Sequence, residues 1–86
     1  MIQDFEIGEP VFIQWVEGTK PELVQFAGLN PKGLMGFISF FILKQRSYGY
    51  SIHEYWPDEI GIGDTPEDAE AYLKQAIDFE LTEINN

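Results

Sequence analysis

One histidine, His53, six serine and threonine hydroxyls and no cysteine bound the chemistry open to this 86-residue chain. Without cysteine there is no disulfide, no thiolate metal ligand and no thiol nucleophile. A zinc site would need carboxylates beside the one histidine, and no spacing in the chain supplies them. The hydroxyls of Thr19, Ser39, Ser47, Ser51, Thr65 and Thr82 lie outside any nucleophile-elbow motif, and no second histidine is present to activate one. Gly61-Ile62-Gly63 lacks the Lys-Ser/Thr of a phosphate loop and reads as a flexible connection. The expectation is a non-enzyme with no cofactor, no metal and no catalytic residue.

The densest polar group is His53-Glu54-Tyr55-Trp56-Pro57-Asp58-Glu59. His53 with Asp58 or Glu59 could be imagined as an acid–base pair. His53 and Glu54 are neighbours on a strand and point to opposite faces, so they do not cooperate. The cluster fits an interface better, with Tyr55 and Trp56 as aromatic anchors and Asp58 and Glu59 as an acidic rim. Glu67, Asp68 and Glu70 extend the same acidity and complete the candidate partner-binding set.

Charge points the same way. Fifteen acids against five bases give a formal net charge of −10. Residues 1–19 hold four acids and no base; residues 20–46 hold Lys20, Lys32, Lys44 and Arg46 against Glu22. From Glu54 onward there are ten acids and one base, Lys74. Such a surface repels nucleic-acid phosphates and anionic membranes, and steers a basic protein inward. The bland alternative is that the charge serves solubility alone. The acidic start, Met1 to Glu6, has no signal-peptide pattern, and the run Phe37–Leu43 is too short to span a bilayer. With no cysteine staples, a cytoplasmic location is expected.

These residues need elements to position them. Residues 11–16, 23–29, 37–43 and 48–56 read as strands, with turns at 17–21, at Asn30-Pro31-Lys32-Gly33 and at 45–47. On the fourth strand Tyr50, Ile52 and Trp56 share one face, and Ser51, His53 and Tyr55 the other. Thr65 is a good N-cap, Pro66 suits the first helical position, and Glu67 and Asp68 complement the helix dipole. Ala69, Leu73, Ala76, Ile77, Leu81 and Ile84 form an apolar stripe flanked by Tyr72 and Phe79. Glu70 and Lys74 form an i,i+4 pair. Glu80 falls inside the stripe, either with its stem on the core edge or as a carboxylate for Lys44, Arg46 or a partner's base.

Residues 1–86 therefore read as one acidic α+β domain: a small antiparallel sheet of three to four strands against one C-terminal helix. The strand at 37–43 is apolar on both faces, and one helix covers only one of them. Either the sheet curls into a partial barrel, or a second copy or another protein covers the far face, so a homo-oligomer is expected.

Tyr48-Gly49-Tyr50-Ser51-Ile52, Pro57-Asp58 and Gly63-Asp64-Thr65-Pro66-Glu67-Asp68-Ala69 together resemble the core signature of HicB-type antitoxins. The likeness spans about residues 48–81 and lacks the family's longer turn after the proline-aspartate pair. It implies a ribonuclease-H-like partial fold that masks a small basic toxin, with no activity of its own. Two further readings compete with a protein-binding module of antitoxin or inhibitor type. One is a nucleic-acid mimic from a phage or mobile element, using Glu67, Asp68, Glu70, Asp78 and Glu83 in phosphate-like positions. The other is a small-ligand binder at a subunit interface, with Trp15, Tyr50 and Trp56 as stacking walls.

Overall fold

The computed structural model describes residues 4–85, with side chains described as far as residue 75. Five strands, β1 (Pro10–Gln14), β2 (Glu22–Leu34), β3 (Phe37–Arg46), β4 (Gly49–Tyr55) and β5 (Gly61–Gly63), precede one helix, α1 (Pro66–Asn85). They form one open antiparallel sheet in the order β4-β3-β2-β1-β5. The class is α+β, and the sheet is not closed into a barrel.

Alternation along the strands sorts the two faces. Val11 and Ile13 of β1, Val24 and Phe26 of β2, Phe40 and Ile42 of β3, Tyr55 of β4 and Ile62 of β5 are buried in one cluster with Ile60. Register brings Val11 opposite Val24, Ile13 opposite Ile62, Phe26 opposite Ile42 and Phe40 opposite Tyr55. Trp15, just past β1, meets Tyr55 of β4 at 4.6 Å across two intervening strands, which a flat sheet could not arrange. The core sits inside the curl of the sheet.

The helix seats on the glycine side of β5 and sends Tyr72 round to the core cluster. Gly61 and Gly63 alternate with Ile62, so their missing side chains point away from the core. A Cβ on Gly61 would stand 2.2 Å from the Ala69 carbonyl oxygen, and one on Gly63 would stand 2.5 Å from the Asp68 Cβ. Ala69 and Leu73 are buried at this contact. The helix begins as its sequence indicates, with the Asp68 amide donating to Thr65 Oγ1 at 3.1 Å. Glu70 reaches Lys74 at 3.9 Å, and Lys74 also lies 4.0 Å from Glu17 beyond β1. The expected stripe residues Ala76, Ile77, Leu81 and Ile84, and Phe79 and Glu80, lie outside the described side chains.

Two readings of the sequence are corrected. Gly61-Ile62-Gly63 is a buried edge strand paired with β1, not a flexible connection. The glycines reflect the close approach of α1 rather than freedom of the backbone. Asn30-Pro31-Lys32-Gly33 does not end β2; the register shifts between Asn30 and Leu34, and the strand continues. The hairpin turns instead at Met35-Gly36, where both residues have positive φ (55° and 85°) between the paired Leu34 and Phe37. That is the signature of a type I′ turn, which ordinarily takes Asn or Gly at its first position.

Gly61→Ala should lower the melting temperature through a destabilisation of about 1–3 kcal/mol, because the new methyl meets helix backbone that cannot yield. Gly18→Ala meets no neighbour but puts alanine at φ 84°, so it should cost left-handed backbone strain alone, about 1 kcal/mol; thermal melts of the two variants compare clash with strain.

Candidate functional site

The β2–β3 hairpin and the turn after β4 enclose an open apolar groove of about 740 Å³, lined by Met35, Gly36, Phe37, Ile38, Trp56, Pro57 and Asp58. Met35 is 81% and Phe37 71% exposed, in a turn where water favours small polar residues. Trp56 joins the two walls: its Nε1 donates to the Leu34 carbonyl at 2.9 Å. The opposite wall is a tight turn in which the Glu59 amide donates to the Trp56 carbonyl at 3.0 Å. The Glu59 carboxylate in turn accepts from the Trp56 amide at 3.1 Å. Behind the groove, the Glu54 carboxylate accepts hydrogen bonds from Asn30 Nδ2 at 3.1 Å and from Ser39 Oγ. This polar rung crosses β2, β3 and β4 and stiffens the hairpin as it leaves the core.

The partner-binding residues expected from sequence divide between several places. Trp56 and Asp58 line the groove, with Glu59 exposed in the same turn. Tyr55 does not belong to that surface. It is 6% exposed and packed in the core, its ring edge-on to Trp15 with 4.6 Å between centroids. Burial, then the nearby Glu59 and Glu22, push its phenol above the ordinary tyrosine value. The sequence placed the polar end of the strand on the surface, but position 55 falls on the core face of a curled sheet.

Glu67 and Asp68 are exposed at the start of α1, and Glu70 is half-buried. Asp68 lines a shallow hollow with Asp64 and Tyr72, whereas Glu70 pairs with Lys74 toward Glu17. At about 100° per residue, Asp68 and Glu70 flank opposite sides of the helix. Among the described residues, Glu67, Asp68 and Glu70 therefore do not make a single stripe with the groove. Asp78 and Glu83 lie outside the described side chains.

Trp15, Tyr50 and Trp56 occupy three separate environments in the chain. The Lys44 ammonium sits 5.3 Å over the Trp15 ring and 3.5 Å from Glu22. Lys44 is buried on the core face and paired with Glu22. Tyr50 stands exposed on the convex face, and Trp56 falls past the end of β4 rather than on that face.

One pairing escaped the sequence reading. Ser51 Oγ lies 3.0 Å from His53 Nε2, an i,i+2 contact on one face of β4. The same-face alternation of residues 51 and 53 was the available signal. A nucleophile–base pair also needs a group to orient the imidazole. Among the described residues His53 makes only this bond and a stack on Tyr55 at 6.2 Å. No group of three or more potential metal ligands occurs among the described residues, and no described helix is long and apolar enough to cross a membrane.

Two outcomes follow. Tyr55→Ala should destabilise the fold by about 3–5 kcal/mol, whereas Trp56→Phe, which keeps an aromatic ring but loses the bond to Leu34, should cost about 0.5–1.5 kcal/mol. The Asp64 carboxyl shares a hydrogen bond with Glu9, which raises its pKa above the ordinary carboxylate value. A raised folded-state pKa contributes stability at low pH, lost as pH rises through it. Asp64→Asn should therefore raise the melting temperature at pH 7 relative to the parent, with the gap closing in the acid carboxylate range.

In comparisons with protein-family models, curated proteins and solved structures, the chain matches none.

Proposed function

We propose that the chain is a non-catalytic protein-binding module, of inhibitor or antitoxin type, that masks a basic partner. The observation that supports this reading is the groove between the β2–β3 hairpin and the Trp56–Asp58 turn. It exposes Met35, Phe37 and Ile38 together, where single exposed apolar side chains would need no explanation. Aromatic and methionine side chains at the centre with acids at the rim match the anatomy of an interface. Asp58 is the one charged lining residue, Glu59 follows it, and the chain carries a net charge of −10. A partner segment with an apolar side chain flanked by Lys or Arg suits both features. Masking a small basic toxin, the role implied by the likeness to HicB-type antitoxins, is one form of this reading.

Charge and apolar contacts should separate kinetically. Asp58→Lys with Glu59→Lys should slow association with the partner several-fold at low salt and leave the off-rate nearly unchanged. Phe37→Ser should instead raise the off-rate, about tenfold or more if the ring is an anchor. Surface plasmon resonance against the partner captured from the native host, at two salt concentrations, reads both. His53→Ala should change neither rate; loss of function in that variant with folding intact would favour an enzyme.

A further inference from the structure

A second surface is set apart by what it lacks. The convex face of β2, β3 and β4 presents Leu23 and Gln25, Leu43 and Gln45, and Tyr50 and Ile52. Register makes them one continuous patch: Gln25 stands opposite Leu43, Leu43 opposite Ile52, and Gln45 opposite Tyr50. Leu23 is 60% exposed and Ile52 67% exposed. None of the six side chains carries a charge, in a chain that holds fifteen acids. The nearest acid on this face of β4, Glu54, is tied back by Asn30 and Ser39. The helix packs over β5 at the other side of the sheet, and none of its described residues lines the patch's hollow.

From this we infer that the patch is a self-association surface, occupied by the same patch of a second copy about a two-fold axis. Electrostatics selects the occupant. A basic partner gains nothing from an uncharged face and is drawn to the acids elsewhere. Two copies of net charge −10 repel wherever their acids meet, and can approach closely only where neither offers one. Two half-exposed apolar sheet faces then bury one another as in a sheet sandwich. Six side chains are far fewer than the roughly 20–30 residues a side of a standard interface, so the dimer is weak. This inference is independent of the partner-binding groove, whose residues it does not use.

The sign of the salt effect distinguishes the two surfaces. Binding of a basic partner weakens with salt, whereas self-association of this face strengthens as the like-charge repulsion is screened. Sedimentation equilibrium of the full chain at 10–200 µM, in 50 mM and 500 mM NaCl, should show a monomer–dimer equilibrium shifted toward dimer at high salt. Ile52→Lys places two cations on the axis and should shift the dissociation constant upward at least tenfold, with an unchanged melting temperature. Should Ile52→Lys fail to fold, Leu23→Lys tests the same face from β2. A strict monomer at 200 µM in 500 mM NaCl would overturn the inference. So would a dimer indifferent to the lysine substitution, above all one abolished by Phe37→Ser, which would move the contact to the hairpin.

Discussion

Five residues, Trp56 to Ile60, carry the chain from β4 to β5, from one edge of the sheet to the other. The antiparallel pairings make these two strands co-directional, and a link between co-directional strands of one sheet ordinarily needs a dozen or more residues. The link here is shortened further by the turn that closes between Trp56 and Glu59. Such a chain cannot cross a flat sheet about four strand spacings wide, or roughly 19 Å, and still return to the strand's starting end. The sheet must curl until β5 takes up the line that β4 leaves. Everything that positions the candidate surfaces follows from that closure.

Curling fixes which face is core. Tyr55 and Ile60, at the two ends of the short link, enter the same cluster as Phe40 and Ile42, so the concave face is filled by the sheet's own side chains. Phe5 and the helix residue Tyr72 add only partly buried side chains to it. The helix seats its Ala69–Leu73 contact where β5 offers glycine instead of side chains. The described residues of the helix seat it over β5 and β1, and none of them lines the hollow on the convex face of β2 and β3. The uncovered apolar face and the buried tyrosine are thus two consequences of one short connection.

This also explains what the sequence made legible. The helix start was readable because its determinants are local: Thr65, Pro66, Glu67 and Asp68 act within one turn. The central strands were readable from alternation and apolar density. The length of β2 was not, because Pro31 and Gly33 look like a turn wherever they stand, and only pairing with β3 shows them absorbed in an irregular strand. β5 was missed for the same reason: Gly-Ile-Gly carries no strand signal until β1 and α1 are beside it. In the candidate site, Trp56 and Asp58 were identified from composition alone, but Tyr55 was placed outside because facing is a tertiary property. Met35 and Phe37 were overlooked as site residues, although an apolar residue beside Gly36 between two strands is itself an anomalous turn.

The position of that anomaly is the last structural consequence. Beyond the register shift at Asn30, β2 and β3 run past the core as a two-stranded ribbon, and such ribbons are marginal without support. Two contacts supply it: the Asn30–Ser39–Glu54 rung at its base and the Trp56 indole on the Leu34 carbonyl near its tip. Both reach the ribbon from β4 or the turn that follows it, the same segment that enforces the curl. The exposed apolar tip is therefore held at a fixed distance from the Asp58-Glu59 turn rather than left to swing. A groove with one wall on the ribbon and one on the turn keeps its shape without an occupant, and this pre-organisation lowers the ordering cost of binding.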